Sequence, residues 1–305
     1  MDGILIVNKP KEYTSHDIVA KVKKIAHEKV GHTGTLDPMA TGVLPLLLGQ
    51  GTKLSKYLID HDKVYEATIQ LGAKTDTADG EGKVIEKKQV NLQNLEVENV
   101  QKVLKSMQGK QVQTPPIYSA IKVNGKKLYE YARENKEVEI PKREIEIYDI
   151  QLLEIKKQEA TISFRVHCSK GTYIRTLCEN IAEKLETVGH MKELTRLQVG
   201  NFKLEQSVTI EQIEENKDNP LFWQSHVISI QSFFEDLPEL TLTQKEYVLF
   251  LNGVKLLRRR EDGYYQILTH TGKWLGIGIV DNQFLKRKLI VEEMEEFYRY
   301  SSRNS

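Results

Sequence analysis

Hydrophobic positions follow two rhythms along the chain. Residues 3–10, GILIVNKP, are a short apolar run closed by a turn signal, which predicts a buried strand. Residues 15–28 change to helical spacing. There Ile18, Val19, Val22, Ile25 and Ala26 share one stripe, Ser15 is placed to cap and Asp17 suits the first turn. The apolar run VLPLLLG (43–49) is followed by a short helix expected around 52–60. In KVYEATIQLG (63–72), Tyr65, Ala67, Ile69 and Leu71 keep one phase of a two-residue period, so a strand is predicted. TDTADGEG (75–82) is turn chemistry. Residues 94–108 return to helical register through Val97, Val100, Val103, Leu104 and Met107, with Gly109 as the stop.

Residues 111–143 fit neither rhythm. Pro-Pro, Asn-Gly, tyrosines and alternating charge predict an excursion with a short helix near 126–134, the kind of long loop that tends to carry function. Two long alternating strands follow at 144–155 and 160–169, then a helix at 171–187, a strand at 194–204 and a short helix at 209–216. Residues 217–238 read as a connector. Beyond it, turn-punctuated and mostly strand-like segments predict a compact β-rich domain of about seventy residues. The expected division is 1–235 and 236–305.

Composition narrows the class. With 305 residues, 39% hydrophobic and 29% charged, the chain suits a globular protein with a real core. No apolar run approaches a membrane span, and MDGILIVNKP lacks the basic-then-apolar layout of a secretory signal. Cys168 and Cys178 form no CxxC pair, so neither a disulfide framework nor a thiolate metal site is expected, and a cytoplasmic location fits. The net charge of +1 says nothing about partners, which leaves local clusters to carry that argument.

The densest chemistry lies in HTGTLDPMATGVLP (32–45). Pro38 pushes Asp37 toward extended backbone, glycines permit sharp turns, and threonines supply hydroxyls. Such a loop can hold one carboxylate in a fixed orientation, as nucleophile or base, and the same residues also read as an ordinary Asp-Pro turn. GQGTK (49–53) fails the phosphate-loop pattern because Thr52 separates Gly51 from Lys53. Asp60 and Asp62 are the nearby acids a glycosidase would want, but spacing places neither opposite Asp37. In HCSKGTYIRTL (167–177), Arg175 falls in the first turn of a helix, where a cation is disfavoured. It therefore calls for an acidic partner, Glu179 one turn on being the plain alternative. Tyr65, at the end of an apolar strand face, reads either as a stacking platform or as packing. His32 and His16 lack metal-ligand spacing. Lys255, Arg258, Arg259 and Arg260, with Lys286–Arg287–Lys288, form basic clusters in the C-terminal segment that suit either phosphate contact or a solvated face.

Five blocks carry a family resemblance: GILIVNKPKEYTSHDIV, KVGHTGTLDPMATGVLPLLLGQGTKLSKYL, KVYEATIQLGAKTDTADGEG, TPPIYSAIKVNGKKLYEYAR and VHCSKGTYIRTL. In this order the chain resembles the TruB family, bacterial tRNA pseudouridine-55 synthases. The resemblance implies an α+β fold: a mixed, largely antiparallel sheet with flanking helices, plus a small PUA-like β-rich domain at the C-terminus. It implies that Asp37 is the catalytic aspartate, that Arg175 pairs with it and that Tyr65 stacks on the target base. It further implies that His32, Tyr173 and Leu194 line the nucleotide pocket, that Lys9 and Pro10 support it, and that 111–143 closes over RNA. The expected substrate is the TΨC stem-loop of tRNA, with no cofactor, metal or obligatory protein partner. Whether Asp37 first attacks C1′, attacks C6 or removes a sugar proton stays open. The rival readings are a non-catalytic RNA binder and a small-molecule isomerase or hydrolase.

Overall fold

The computed structural model describes residues 1–58, 61–134 and 136–291, so Asp60 and the end of the helix expected at 52–60 lie outside the described residues. Among the described residues two compact units emerge: Leu5–Leu46 with Ser55–His226, and Met1–Ile4 with Leu47–Leu54 and residues 227–291.

The larger unit is organised by one sheet. Its main strands are β1 (Gly3–Lys9), β2 (Thr41–Leu48), β3 (Lys63–Leu71), β4 (Gly109–Gln113), β5 (Arg143–Lys156), β6 (Thr161–Cys168) and β7 (Gly189–Val199), the first two residues of β1 and the last two of β2 being counted with the other unit. They lie in the order β1–β2–β7–β3–β6–β5–β4. From β7 to β4 every neighbour is antiparallel, whereas β2 and β7 run parallel. The sheet is therefore mixed and largely antiparallel.

Its helices include α1 (Ser15–Ala26), α2 (Val97–Lys105), α3 (Leu128–Arg133) and α4 (Ile174–Lys184). The predicted alternation in β3 is realised, since Tyr65, Ala67, Ile69 and Leu71 are buried and the residues between them are not. On β6 the matching face is Ile162, Phe164, Val166 and Cys168. Val100 and Leu104 of α2 and Leu177, Cys178 and Ile181 of α4 close over that face to make one core. Such burial, at about 25 cal/mol per Å² of apolar surface, is the main stabilising term.

Two local readings change. The cap of α1 is Thr14, not Ser15: Thr14 and Asp17 form a reciprocal capping box. Ser15 is buried instead, and its hydroxyl bonds the backbone of Leu36. The connector at 217–238 contains short helices at Pro220–His226 and Ile230–Phe233.

The smaller unit has strands β8 (Glu239–Thr241), β9 (Leu256–Leu257), β10 (Gly263–Leu268), β11 (Trp274–Asp281) and β12 (Phe284–Ile290), in the order β8–β10–β11–β12–β9. The segment Gln244–Leu251, expected among strand-like pieces, is helix α5. The capping box of Thr243 and Glu246 starts it and outweighs the apolar run that suggested a strand.

The parallel contact of β2 with β7 depends on Gly42, which pairs with Arg196. Gly42 has φ +107°, and a Cβ there would stand 2.2 Å from the Arg196 carbonyl oxygen. Gly42→Ala is expected to cost at least about 2 kcal/mol, lowering the midpoint of thermal unfolding by roughly 4–8 °C in calorimetry. A midpoint within a degree of the parent would contradict this packing.

Candidate active site

The Asp37 loop is fastened at several points before any charge is considered. The Leu36 N–H donates to Ser15 Oγ at 2.9 Å, and the Ala40 N–H donates to the Asp37 carbonyl at 3.0 Å. Lys9, with no exposed surface, donates to the carbonyls of Pro10 (2.8 Å), Tyr13 (2.7 Å) and Pro38 (3.1 Å). Burial pulls its ammonium down to about 8, with Asp37 pulling the other way, so it stays charged at neutral pH. The NKP turn thereby holds the residue directly after Asp37.

The Asp37 carboxylate meets a guanidinium. Arg175 Nε lies 3.1 Å from Oδ2 and Nη2 lies 3.3 Å from Oδ1, a two-point pairing. Arg175 is 6% exposed and its remaining donors are also used. Nη1 reaches the Thr77 carbonyl (3.0 Å) and Asp79 Oδ2 (3.4 Å), and Nη2 reaches the Tyr118 carbonyl (2.9 Å). Glu179 instead pairs with Lys74 at 3.3 Å. Asp79 came from a stretch read only as a turn. Its other oxygen accepts from Thr77 Oγ1 at 2.6 Å and the Glu81 N–H at 3.2 Å, so the turn's own hydrogen bonds aim it at Arg175.

The Asp37 side chain keeps 35% of its surface exposed, so a reactant can reach it. Desolvation by its surroundings pushes the carboxyl above its ordinary value of 3.8, Arg175 pulls it back, and Asp79 adds to the rise.

Tyr65, on β3, belongs to the same buried cluster as Leu36 and Met39, which lie on either side of Asp37–Pro38. Its cross-strand partner in register is Arg196, which is 1% exposed. Arg196 donates from Nε to the Val43 carbonyl (2.7 Å) and from Nη2 to the Gly34 carbonyl (3.0 Å). Burial pushes the Tyr65 phenol up to about 12 against the pull of Arg196, so it is neutral at physiological pH. Arg196 was absent from the sequence reading. The available signal was its spacing of two from Leu194, which puts an arginine in the buried phase of a strand.

Leu194 is buried in the same cluster as Tyr65, Leu36 and Met39. His32 is half-buried with its ring 5.4 Å from that of His16, edge to face, and burial lowers its pKa. Its Nδ1 has no hydrogen-bond partner. Tyr173 is extended rather than helical and precedes α4. Lys9, Pro10, His32, Asp37, Tyr65, Tyr173, Arg175 and Leu194 all belong to the larger unit.

The C-terminal basic residues do not share one environment. Lys255, Arg259 and Arg260 are exposed. Arg258 is not a free charge: it pairs with Glu246 at 2.8 Å and donates to the Leu257 carbonyl. In β12, Lys286 pairs with Asp281, and Arg287 donates to the Leu251 carbonyl at 2.7 Å.

The profile described as TruB family pseudouridylate synthase (N terminal domain) matches residues 22–174. That described as tRNA pseudouridylate synthase B C-terminal domain matches 175–226. A tRNA pseudouridine synthase B of Clostridium kluyveri is 42% identical over 300 residues, 95% of this chain and all of that protein. One from Bacillus subtilis is 47% identical over 260 residues, 84% of each chain. Among solved structures, a chain of an H/ACA RNP bound to a substrate RNA containing 2′-deoxyuridine superposes with a TM-score of 0.67. It is 23% identical and the match covers 96% of this chain and 86% of that one. A chain of a Cbf5-Nop10-Gar1 complex gives 0.66 at 25% identity, covering 95% and 84%. These likenesses are of fold: a pseudouridine synthase α+β sheet and a small PUA-like β-rich unit. Matched over half its length by the family profile and to relatives along nearly all of it, the chain belongs to the TruB family of pseudouridylate synthases.

Proposed function

We propose that this chain isomerises uridine to pseudouridine at position 55, in the TΨC arm of tRNA, with Asp37 as the catalytic nucleophile or base. The observation that carries this reading is the partly open Asp37 carboxylate, paired at two points with the buried Arg175. The isomerisation breaks the N1–C1′ bond, turns the uracil and joins C5 to C1′. N1 gains a proton and C5 loses one, so nothing is oxidised and no external energy is consumed. A lone acid, aimed by its two-point pairing with Arg175, suffices as the reacting group.

The target base belongs to a folded RNA arm and must leave its stack to reach Asp37. Tyr65 offers a flat neutral face for it, and Leu194, Tyr173 and His32 supply the surrounding walls. Lys9 and Pro10 keep the Asp37 turn from moving when the nucleotide enters. Enclosure retains the detached uracil until it rejoins. The substrate is tRNA alone, and the enzyme acts in the cytoplasm without an obligatory protein partner. A pure RNA binder has no use for a carboxylate facing phosphates, and a small-molecule isomerase would turn over free uridine.

Incubation with unmodified tRNA followed by pseudouridine mapping tests the activity. Asp37→Asn is expected to bind tRNA like the parent and to release no tritium from 5-tritiated uridine in tRNA. Release near the parent rate would end the assignment.

The pH dependence follows from the same group. The ionised form is the active one and its pKa lies above 3.8, so activity is full above that raised pKa and is lost as pH falls through it. Arg175→Met removes the pull toward ionisation and is expected to move the acid limb of kcat to higher pH. An unmoved limb would mean the limb reports another group.

For the C-terminal unit, replacing Lys255, Arg259 and Arg260 by Gln is expected to weaken tRNA binding and reduce its salt slope by roughly two to three, leaving single-turnover chemistry intact. Arg258→Gln, whose charge is already matched by Glu246, is expected to leave the slope alone. An unchanged slope in the triple variant would make the patch a solvated face.

A further inference from the structure

The excursion that begins after β4 leaves and returns at a single rung of the sheet. Gln113, the last residue of β4, pairs in register with Arg143, the first of β5. Both side chains of this rung converge on Tyr173. Gln113 is 2% exposed and faces the Tyr173 peptide groups with its amide. Its Oε1 accepts from the Tyr173 N–H at 2.8 Å, and its Nε2 donates to the Tyr173 carbonyl at 3.0 Å. That carbonyl also accepts from the Leu177 N–H, the first backbone bond of α4. Arg143 covers the other aspect of the same residue, its guanidinium 5.5 Å from the centre of the Tyr173 ring. Its Nε is buried without a hydrogen-bond partner, so the ring and the turn at Gly171 are what it packs on. Gly171 has φ +79°, and a Cβ there would lie 3.1 Å from Arg143 Nη1.

The excursion touches the catalytic pair as well. The Tyr118 carbonyl accepts from Arg175 Nη2, the nitrogen that also faces Asp37 Oδ1. Thr176 Oγ1 donates to the Thr114 carbonyl at 3.3 Å. Residues 173, 175 and 176 are thus each bonded to residues 113, 118 and 114. Nothing in the steps proposed above uses Gln113 or Arg143.

We infer that Gln113 and Arg143 are positioning residues: their rung orients Tyr173 in the nucleotide pocket and couples the placing of the excursion to the Arg175–Asp37 pair. The inference rests on the proposed site. Gln113 fixes the backbone of Tyr173 by a two-point amide contact, and Arg143 fixes the ring by stacking. Once the rung is set, the Tyr118 carbonyl arrives at Arg175 as the excursion seats, so a correctly seated excursion is part of what holds Asp37 at its two-point distance.

The test measures single-turnover rate, tRNA affinity and thermal unfolding for Gln113→Leu, Gln113→Glu, Arg143→Met and Arg143→Lys, alone and in a Tyr173→Leu background. Gln113→Leu and Arg143→Met are expected to slow the chemical step about 10- to 100-fold while tRNA affinity changes far less, the signature of misplaced groups. In the Tyr173→Leu background neither is expected to add a comparable loss, because the residue they orient is gone. Gln113→Glu, which keeps the acceptor for the Tyr173 N–H but loses the donor to its carbonyl, is expected to fall between parent and Gln113→Leu. Arg143→Lys is expected not to rescue, since an ammonium lacks the flat face. Rescue by Lys with the whole defect in affinity and its salt slope would make Arg143 a phosphate contact and overturn the inference. Parent-like rates in both truncations, or losses that add fully to Tyr173→Leu, would overturn it too. If Gln113→Leu or Arg143→Met does not fold, Gln113→Glu and Arg143→Lys carry the comparison. Asp37→Asn separates the two readings: inactive beside fully active rung variants, it leaves the site standing and removes only this inference.

Discussion

A guanidinium taken out of water is stabilised by having its donors answered, and Arg175 has all of its donors answered. It stands in the first turn of a helix, where the dipole already disfavours positive charge. Two carboxylates and two backbone carbonyls answer it. Removing one partner of such a buried set costs about 3–5 kcal/mol, because the others are left facing an unmatched charge. Four separate stretches of chain, carrying Asp37, Thr77–Asp79, Tyr118 and Arg175, must therefore arrive together for any one of them to be stable. The same requirement that makes the site costly to build also makes it single-valued in geometry.

Beneath this pair lies a second layer of buried cations. Lys9 binds three carbonyls around the Asp37 turn, and Arg196, the cross-strand partner of Tyr65, binds the carbonyls of Gly34 and Val43. Neither touches the Asp37 carboxylate as Arg175 does, yet both lower its pKa through space. Burial and positive surroundings thus pull in opposite directions on one acid. Burial prevails, leaving a carboxylate more basic than a free one, with the three cations limiting the rise. For a group that must donate electrons or take a proton, that balance is useful.

Strict alternation made β3 legible, because one face is buried and its apolar residues do not break phase. The need of Arg175 for an acid was legible from the dipole argument, but helix spacing suggested Glu179 and the structure pairs that residue with Lys74. Which acid meets which cation is a matter of tertiary approach, and local spacing does not encode it. Asp79 was hidden because its hydrogen bonds are those of an ordinary turn. Arg196 was hidden because a strand arginine normally faces water, as Arg165 does in its cross-strand pair with Glu66. Ser15 looked like a cap because serine commonly is one, while Thr14 took that role and released Ser15 to hold Leu36. In the C-terminal unit, Arg258 counted as one of a basic cluster until Glu246, brought by α5, neutralised it.

The two cysteines have a practical consequence of their own. Both are free and sit in the packed face beneath the sheet's helices, Cys168 on β6 and Cys178 on α4. Burial pushes the Cys168 thiol up to about 12 and raises Cys178 as well, so neither offers a thiolate at neutral pH. Thiol-directed alkylating reagents and mild thiol oxidants find no cysteine thiolate on the folded molecule. Labelling can occur only when α4 lifts from the strands, which turns this pair of sulfur atoms into a built-in clock for the opening of the catalytic core.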